Sequence, residues 1–352
     1  MRGNLFIIIL VCSLVGVTIS ACGTTETTSI EPQTLTIMTH DSFSISEQVL
    51  DEFQNEHNVN VRFIKSGDTG TAVNKAILAK DKPLADIFYG IDNTFLSRAL
   101  AEGIFESYQS PLLADIPDEF ELDQNYDALP VDFGDVCLNY DIEYFVENGL
   151  EPPATLDDLI NPQFKDLVVV QNPATSSPGL AFLLATIGKY GDPGYLDYWE
   201  DLVANNVLVV NDWEVAYYQE FSRAGGSRPI VVSYGSSPPF EVIYAETPID
   251  EPPTAAIVSD GACFRQIEFA GILSGTQNRD LAEKWIDYML GPTFQEDIPL
   301  QMFVFPVNQN AELDETFVQF LAVPENPSFV SPEQITANRE NWINDWTEVV
   351  LR

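Results

Sequence analysis

Short apolar runs alternate along this chain with stretches of helical period, and polar turns separate them. Residues 35–39 alternate as a strand. After His40-Asp41-Ser42-Phe43, Ser46 caps a helix whose apolar positions Val49, Leu50 and Phe53 fall at helical spacing up to about Asn58. Residues 59–64 form a second strand, and Ser66-Gly67-Asp68-Thr69-Gly70-Thr71 opens a helix through Ala72, Ala76, Ile77 and Ala79. Residues 85–90 form a third strand, and Ile91-Asp92-Asn93-Thr94 starts the next helix with an Asp or Asn cap. Strands and helices alternating at this length imply right-handed parallel crossovers and an α/β lobe.

The pattern then restarts. Residues 129–140 read as a long extended segment, 156–160 as a helix and 167–170 as a strand. Asn172-Pro173 breaks that strand, and Ser177-Pro178 supplies an N-cap followed by proline at the first helical position. Residues 204–210 lead into Asn211-Asp212-Trp213-Glu214, with Trp213, Tyr217 and Phe221 at helical spacing. A second strand-to-helix turn of the same chemistry follows Ile230-Val231-Val232-Ser233-Tyr234 at Ser236-Ser237-Pro238. Residues 257–263 and 264–269 form a second long extended segment, so two strands leave one lobe and return to it. Residues 281–290, 292–298 and 332–350 are helical, with Trp342 and Trp346 on one buried face. The apolar run 302–307 ends in a turn that can supply one aromatic to a cleft.

At each polar helix start, free backbone N–H groups and hydroxyls converge at the carboxyl end of a strand, where open α/β sheets place ligands. Thr175, Ser176 and Ser177 mark one such place; an ordinary strand-to-helix turn is the alternative. Two such starts suggest one shared cleft.

The 352 residues suffice for two lobes. The charge changes the picture more: 54 acidic against 16 basic residues give a net of −38, which argues against nucleic acid or an anionic membrane surface as partner. That field either attracts a cationic ligand or simply keeps an extracytoplasmic protein soluble. Residues 1–21, with Arg2 ahead of an apolar core, form a signal segment ending in Ile19-Ser20-Ala21-Cys22, which resembles a bacterial lipoprotein cleavage site. Cys22 would carry the lipid and residues 22–34 would form a flexible tether. Cys12 leaves with the signal, so Cys137 and Cys263 remain in an oxidising compartment, either as a disulfide or as two buried thiols.

Catalytic chemistry is hard to draw. The chain has only His40 and His57, no Gly-x-Ser-x-Gly elbow, and no Gly-Lys-Ser/Thr to complete a phosphate loop around Lys75. His40-Asp41-Ser42 cannot form a triad as consecutive residues. Binding is favoured over catalysis; a secreted hydrolase with paired carboxylates is the enzyme alternative.

Asp41-Ser42-Phe43, Gly90-Ile91-Asp92-Asn93, Asp132-Phe133-Gly134, residues 171–180, Trp213-Glu214-Val215-Ala216-Tyr217, Ser233-Tyr234 with Ser237-Pro238, Phe305-Pro306-Val307 and the closing Trp342-x-x-x-Trp346 occur in order. Together they resemble the thiamine-binding solute receptors of ABC importers across the mature chain. The resemblance implies a two-lobe, hinged periplasmic-binding-protein fold of type II, each lobe a mixed sheet flanked by helices. The expected division is 35–134 and 263–308 in lobe 1, 135–262 in lobe 2, and 309–352 as a helical segment with lobe 2. It further implies thiamine or its mono- or diphosphate as ligand, no cofactor, a monomer, and delivery to a permease and its ATPase, the lipid anchor being the membrane contact. Asp41 and Asp92 would face the cation or the amino group. Trp213, Tyr217 and Tyr234 would stack on or edge the rings, and Ser176 and Ser236 would hold the polar tail. Ser42, Asn93, Asp132, Ser177, Phe240 and Phe303 complete the expected ligand set.

Asp41 and Asp92 also read as helix caps, and the three aromatics as core. The chain departs from the family pattern in having Phe240 for a tyrosine and Phe303 for a tryptophan, and in lacking a tryptophan shortly after Asp-Ser-Phe. These departures bear on the ligand: another form of the vitamin, a polyamine, or ferric iron bound through Tyr217-Tyr218. Neighbouring residues on a helix point about 100° apart, so the two tyrosines would share an ion only from a non-helical turn.

Overall fold

The computed structural model describes residues 32–352; the signal segment, Cys12, Cys22 and the tether up to residue 31 lie outside the described residues. The strands are β1 (Gln33–Thr39), β2 (Val59–Lys65), β3 (Ile87–Asp92), β4 (Phe105–Glu106), β5 (Leu129–Asp141), β6 (Val168–Gln171), β7 (Leu208–Val210), β8 (Ile230–Tyr234), β9 (Thr254–Ile257), β10 (Phe264–Leu273) and β11 (Phe305–Pro306). They form one sheet in the order β2-β1-β3-β10-β5-β8-β6-β7, with β4 beside β10 and β9 and β11 beside β5. The trio β2, β1, β3 is parallel, as is the trio β8, β6, β7, and the antiparallel strands β10 and β5 join them.

β5 is the longest strand, and its two parts have different neighbours. Residues 129–136 pair with β10, while 136–140 pair with β8 and 138–141 with β9. Both trios therefore hang on a common pair of strands. Cys137, on β5, and Cys263, just before β10, are joined by a disulfide with Sγ atoms 2.09 Å apart.

Local chemistry sets the element ends. Ser46 Oγ accepts from Val49 N at 3.3 Å to start the helix Glu47–His57, and Asn58 in the left-handed region (φ 49°) stops it. Asp68 caps the helix Thr69–Leu78. β3 and β6 are buried throughout, as strands covered on both faces must be. The C-terminal helix Pro332–Val350 lays Trp346 against Trp199 of the helix Gly194–Ala204, ring centroids 5.5 Å apart.

Several sequence expectations need correction. The helix Ser177–Tyr190 is capped by Ser176, whose Oγ accepts from Gly179 N at 3.4 Å, because the Ser177 hydroxyl is turned to Asp92. The helix Gly194–Ala204 was not anticipated, and the strand ahead of Asn211 is the short β7. The helix begun at Trp213 lasts one turn and then widens into the π-helical turn Ala216–Glu220. The second extended segment is interrupted by a turn at 258–263, where Gly261 takes φ +74°. Residues 156–160 form a 3₁₀ turn.

Candidate ligand-binding site

The carboxyl ends of β1, β2 and β3 meet the two Ser-Pro helix starts and the turn at Trp213. Contacts across this meeting include Thr71 N to Thr175 O at 3.3 Å and Trp213 N to Asp68 Oδ2 at 3.1 Å. Between them lies a cavity of about 40 Å³, room for roughly one or two water molecules. Its lining includes His40, Ser42, Asp68, Glu268, Trp213 and Tyr234.

The floor is electrostatically unusual. Strand register places Glu268 opposite Asp92 on one side and opposite Asp132 on the other, so three buried carboxylates share one row of the sheet. Like charges directly opposite one another destabilise a sheet, and burial penalises each of them further. The structure answers with protons and donors. Tyr89 OH lies 2.5 Å from Asp132 Oδ2 and 3.2 Å from Glu268 Oε2, and His40 Nε2 lies 3.5 Å from Glu268 Oε2.

Burial and then the Glu268 charge push Asp132 well above the usual carboxylate range. Burial also raises Glu268, but His40 together with the hydrogen bonds from Tyr89 and Asp132 outweighs that and leaves it below its ordinary value. Burial holds Asp92 up to about 7, with Glu268 adding to the rise against the Thr94 and Phe95 donors. Asp68 is likewise raised by burial, against the Ser176 hydroxyl and the Thr69 amide.

The wall is aromatic. Trp213 stacks on Tyr217 with centroids 5.0 Å apart and anchors its Nε1 on Ser233 Oγ at 3.0 Å. Phe303, in the left-handed region (φ 65°), stands edge-on to Trp213 and packs on Phe240. Beyond this wall lies an open groove of about 880 Å³, lined by Tyr217, Tyr218, Phe240, Glu241, Tyr244 and Phe303 among others. A third space of about 120 Å³, bordered by Asp41, Ser42, Asp68 and Glu214, adjoins Trp213 on its other side.

Residues 82–319 match the bacterial extracellular solute-binding protein family. The chain belongs to that family. This solute-binding protein is 30% identical over 325 residues to a thiamine-binding periplasmic protein of Brucella suis biovar 1 (strain 1330), covering 91% of this chain and 92% of the relative. Its fold matches a solved periplasmic thiamin binding protein with TM-score 0.78 at 26% identity, over 92% of this chain and 98% of that one. It also matches iron-bound HitA from Pseudomonas aeruginosa with TM-score 0.72 at 17% identity, over 90% and 99% of the two chains, a likeness of fold alone. The architecture is the two-lobe α/β fold of type II periplasmic binding proteins. The family binds solutes outside the cytoplasm and is not enzymatic.

In the solute-binding protein, the residues singled out from sequence divide by position. Ser42, Ser177, Trp213 and Tyr234 line the cavity, Asp41 borders the space beside it, and Tyr217, Phe240 and Phe303 line the groove. The others stand behind the surface. Asp92 caps no helix, since the helix Leu96–Ala101 has Phe95 as its N-cap without a side-chain bond. Asp92 ends β3 and accepts from Thr94 N, Thr94 Oγ1 and Phe95 N in the turn before that helix, and from Ser177 Oγ. Asn93 is held to β10 through Arg265 O and Ile267 N. Asp132 is engaged by Tyr89, Ser176 is the helix cap, and the Ser236 hydroxyl donates to Phe303 O.

His40, Asp68, Gln266 and Glu268 line the cavity and were not selected from sequence as site residues. A signal was present for three of them and none for Gln266. His40 and Asp68 sit just past the carboxyl ends of predicted strands, and Glu268 is a lone carboxylate inside a run expected to be buried.

Proposed function

We propose that this protein captures thiamine, or its mono- or diphosphate, in the cleft between its lobes and delivers it to an ABC importer. The carrying observation is that two carboxylates, Asp68 and Glu268, line the same cavity as the aromatic side chains Trp213 and Tyr234. A thiazolium cation and a flat aminopyrimidine call for that pairing of carboxylates and aromatic faces. The relatives named for thiamine support the same reading.

A cavity of about 40 Å³ is far smaller than such a ligand. Entry therefore requires the lobes to part, which carries Trp213 and Tyr234 away from the floor and joins the cavity to the outer groove. In this reading, residues 35–134 with 263–308 move against 135–262 with 309–352. Cys22, lipidated after cleavage, tethers the receptor beside its permease, as the cleavage-site sequence supports.

Ferric iron gains no support from the tyrosine pair, because the Tyr217 hydroxyl donates to Glu241 at 2.8 Å. The test is calorimetric titration of the mature protein, unfolded and refolded to strip carried ligand, with thiamine and each phosphate. Saturable binding to at least one is expected. Binding to none of the three would sink thiamine and leave the receptor assignment standing, with polyamines next in line.

A further inference from the structure

His40 is a buried imidazole in a cavity that no lysine or arginine lines among the described residues. The fold makes a seat for it. Gly90 lies against the ring, where any Cβ would overlap it, and Tyr89 packs at 5.8 Å between centroids. Its Nε2 points at Glu268 Oε2, 3.5 Å away, and makes no hydrogen bond of good geometry.

The groups facing it, or facing Glu268 beside it, come from every neighbouring element. Asp41 lies on its own loop, Asp68 at the start of the helix Thr69–Leu78, Tyr89 and Asp92 on β3, and Asp132 on β5. Tyr234 lies on β8, Glu268 on β10 and Glu214 on the turn at Trp213. All of these are acids or phenols; Lys65 at the end of β2 acts on Glu214 and Arg339 on Asp92 from outside the cavity, and His40 is the one basic side chain that lines it.

We propose that His40 is the resident counter-ion of Glu268 in the empty cavity, and that a cationic ligand takes its place, expelling the imidazolium proton to solvent. The proposal rests on the thiamine reading and deepens it. In the balanced step, protonated receptor and ligand cation give the complex, with neutral His40, and one free proton. No bond other than N–H is broken. The empty receptor is prepared for that step. Burial opposes charging of His40, but Glu268, with Asp68 and Asp41 adding to it, raises the imidazole above its ordinary value. A second positive charge beside Glu268 reverses that preference. Affinity then falls as pH falls, because below the pKa of His40 in the empty protein the ligand must displace a proton to bind.

The experiment is calorimetry of the mature protein with thiamine near neutral pH, in phosphate and in Tris, whose ionisation enthalpies differ. Thiamine is used rather than its phosphates because a phosphate ionises near pH 6 and exchanges protons of its own. Expected is an apparent enthalpy that shifts with buffer in proportion to a proton release that grows toward one as pH is lowered, and a Kd that weakens up to about tenfold per pH unit below neutrality. His40→Gln should still bind, with buffer dependence and pH slope lost, while His57→Gln behaves as wild type.

Thiamine binding with no buffer dependence and a flat pH profile overturns the proposal and leaves the function intact. A proton release that survives in His40→Gln but disappears in Asp92→Asn assigns the proton to Asp92 and overturns it as well. Absence of thiamine binding in the same titration overturns the proposal and leaves the two phosphates to decide the function. A wild-type titration without proton release overturns the proposal without any variant, and Asp92→Asn tests the rival proton source on its own, so poor folding of His40→Gln does not spare the proposal.

Discussion

The floor and the aromatic wall of the cavity differ in what holds their side chains. Tyr89, Asp132 and Glu268 sit on three adjacent strands and hold one another by hydrogen bonds fixed by sheet register. Trp213, Tyr217 and Phe303 sit on a one-turn helix, a π-helical turn and a left-handed residue, and hold one another largely by ring contact. Strand-mounted charge is already oriented before a ligand arrives, so it sets which ligands are attracted. Ring contacts are worth roughly 0.5–1.5 kcal/mol each and can be exchanged for contacts with a ligand ring. The floor thus selects and the wall adapts.

The broadest way to break this contrast is to loosen the strands on which both regions hang. Replacing both Cys137 and Cys263 by alanine opens a crosslink of sequence separation 126. Loop-closure entropy then predicts a loss of about 4–5 kcal/mol in denaturant unfolding. A loss below about 1 kcal/mol would mean that β5 and β10 hold together without it.

The next test strikes the wall alone. Trp213→Ala removes an indole that contacts Tyr217, Tyr218 and Phe303, and it should weaken thiamine binding about 100-fold, roughly 3 kcal/mol. Calorimetry measures this, and a change of less than about fivefold would remove the wall from the binding site.

On the floor, Glu268→Gln keeps the shape and removes the charge. About tenfold weaker binding is expected, and a matching loss for an uncharged ligand analogue would show that shape rather than charge was at stake.

A pH series sharpens the picture of the floor's outer carboxylate. Asp92 is raised from 3.8 to about 7 in the folded protein, so its stabilising contribution is complete below pH 3.8 and is lost as pH rises through about 7. Asp92→Asn should gain in melting temperature relative to wild type as pH goes from 4 to 8. A difference that stays constant with pH would mean that Asp92 is ionised throughout.

Much of the frame was legible in the chain because local chemistry wrote it. Ser46, the alternation of β1 and the uninterrupted apolar run of β6 each act within a few residues of their own position. The aromatic wall was visible for the same reason, since Trp213 and Tyr217 lie close together in sequence. The floor was not. Glu268 meets Asp92 and Asp132 only through pairing of β10 with strands far away in the chain, and no local pattern states that register. Asp92 and Ser176 were selected for the right neighbourhood, but turn, cap and cavity-lining groups share one composition, and only the direction of the side chain separates them.

Of the five tryptophans, Trp213 alone lines the cavity. Trp199, Trp285, Trp342 and Trp346 are buried away from it, packed in the core. The chain therefore carries its own optical probe. Its emission should consist of a steady background from four indoles and a responsive fraction from one, whose quenching or spectral shift follows occupancy of the cavity without any added dye.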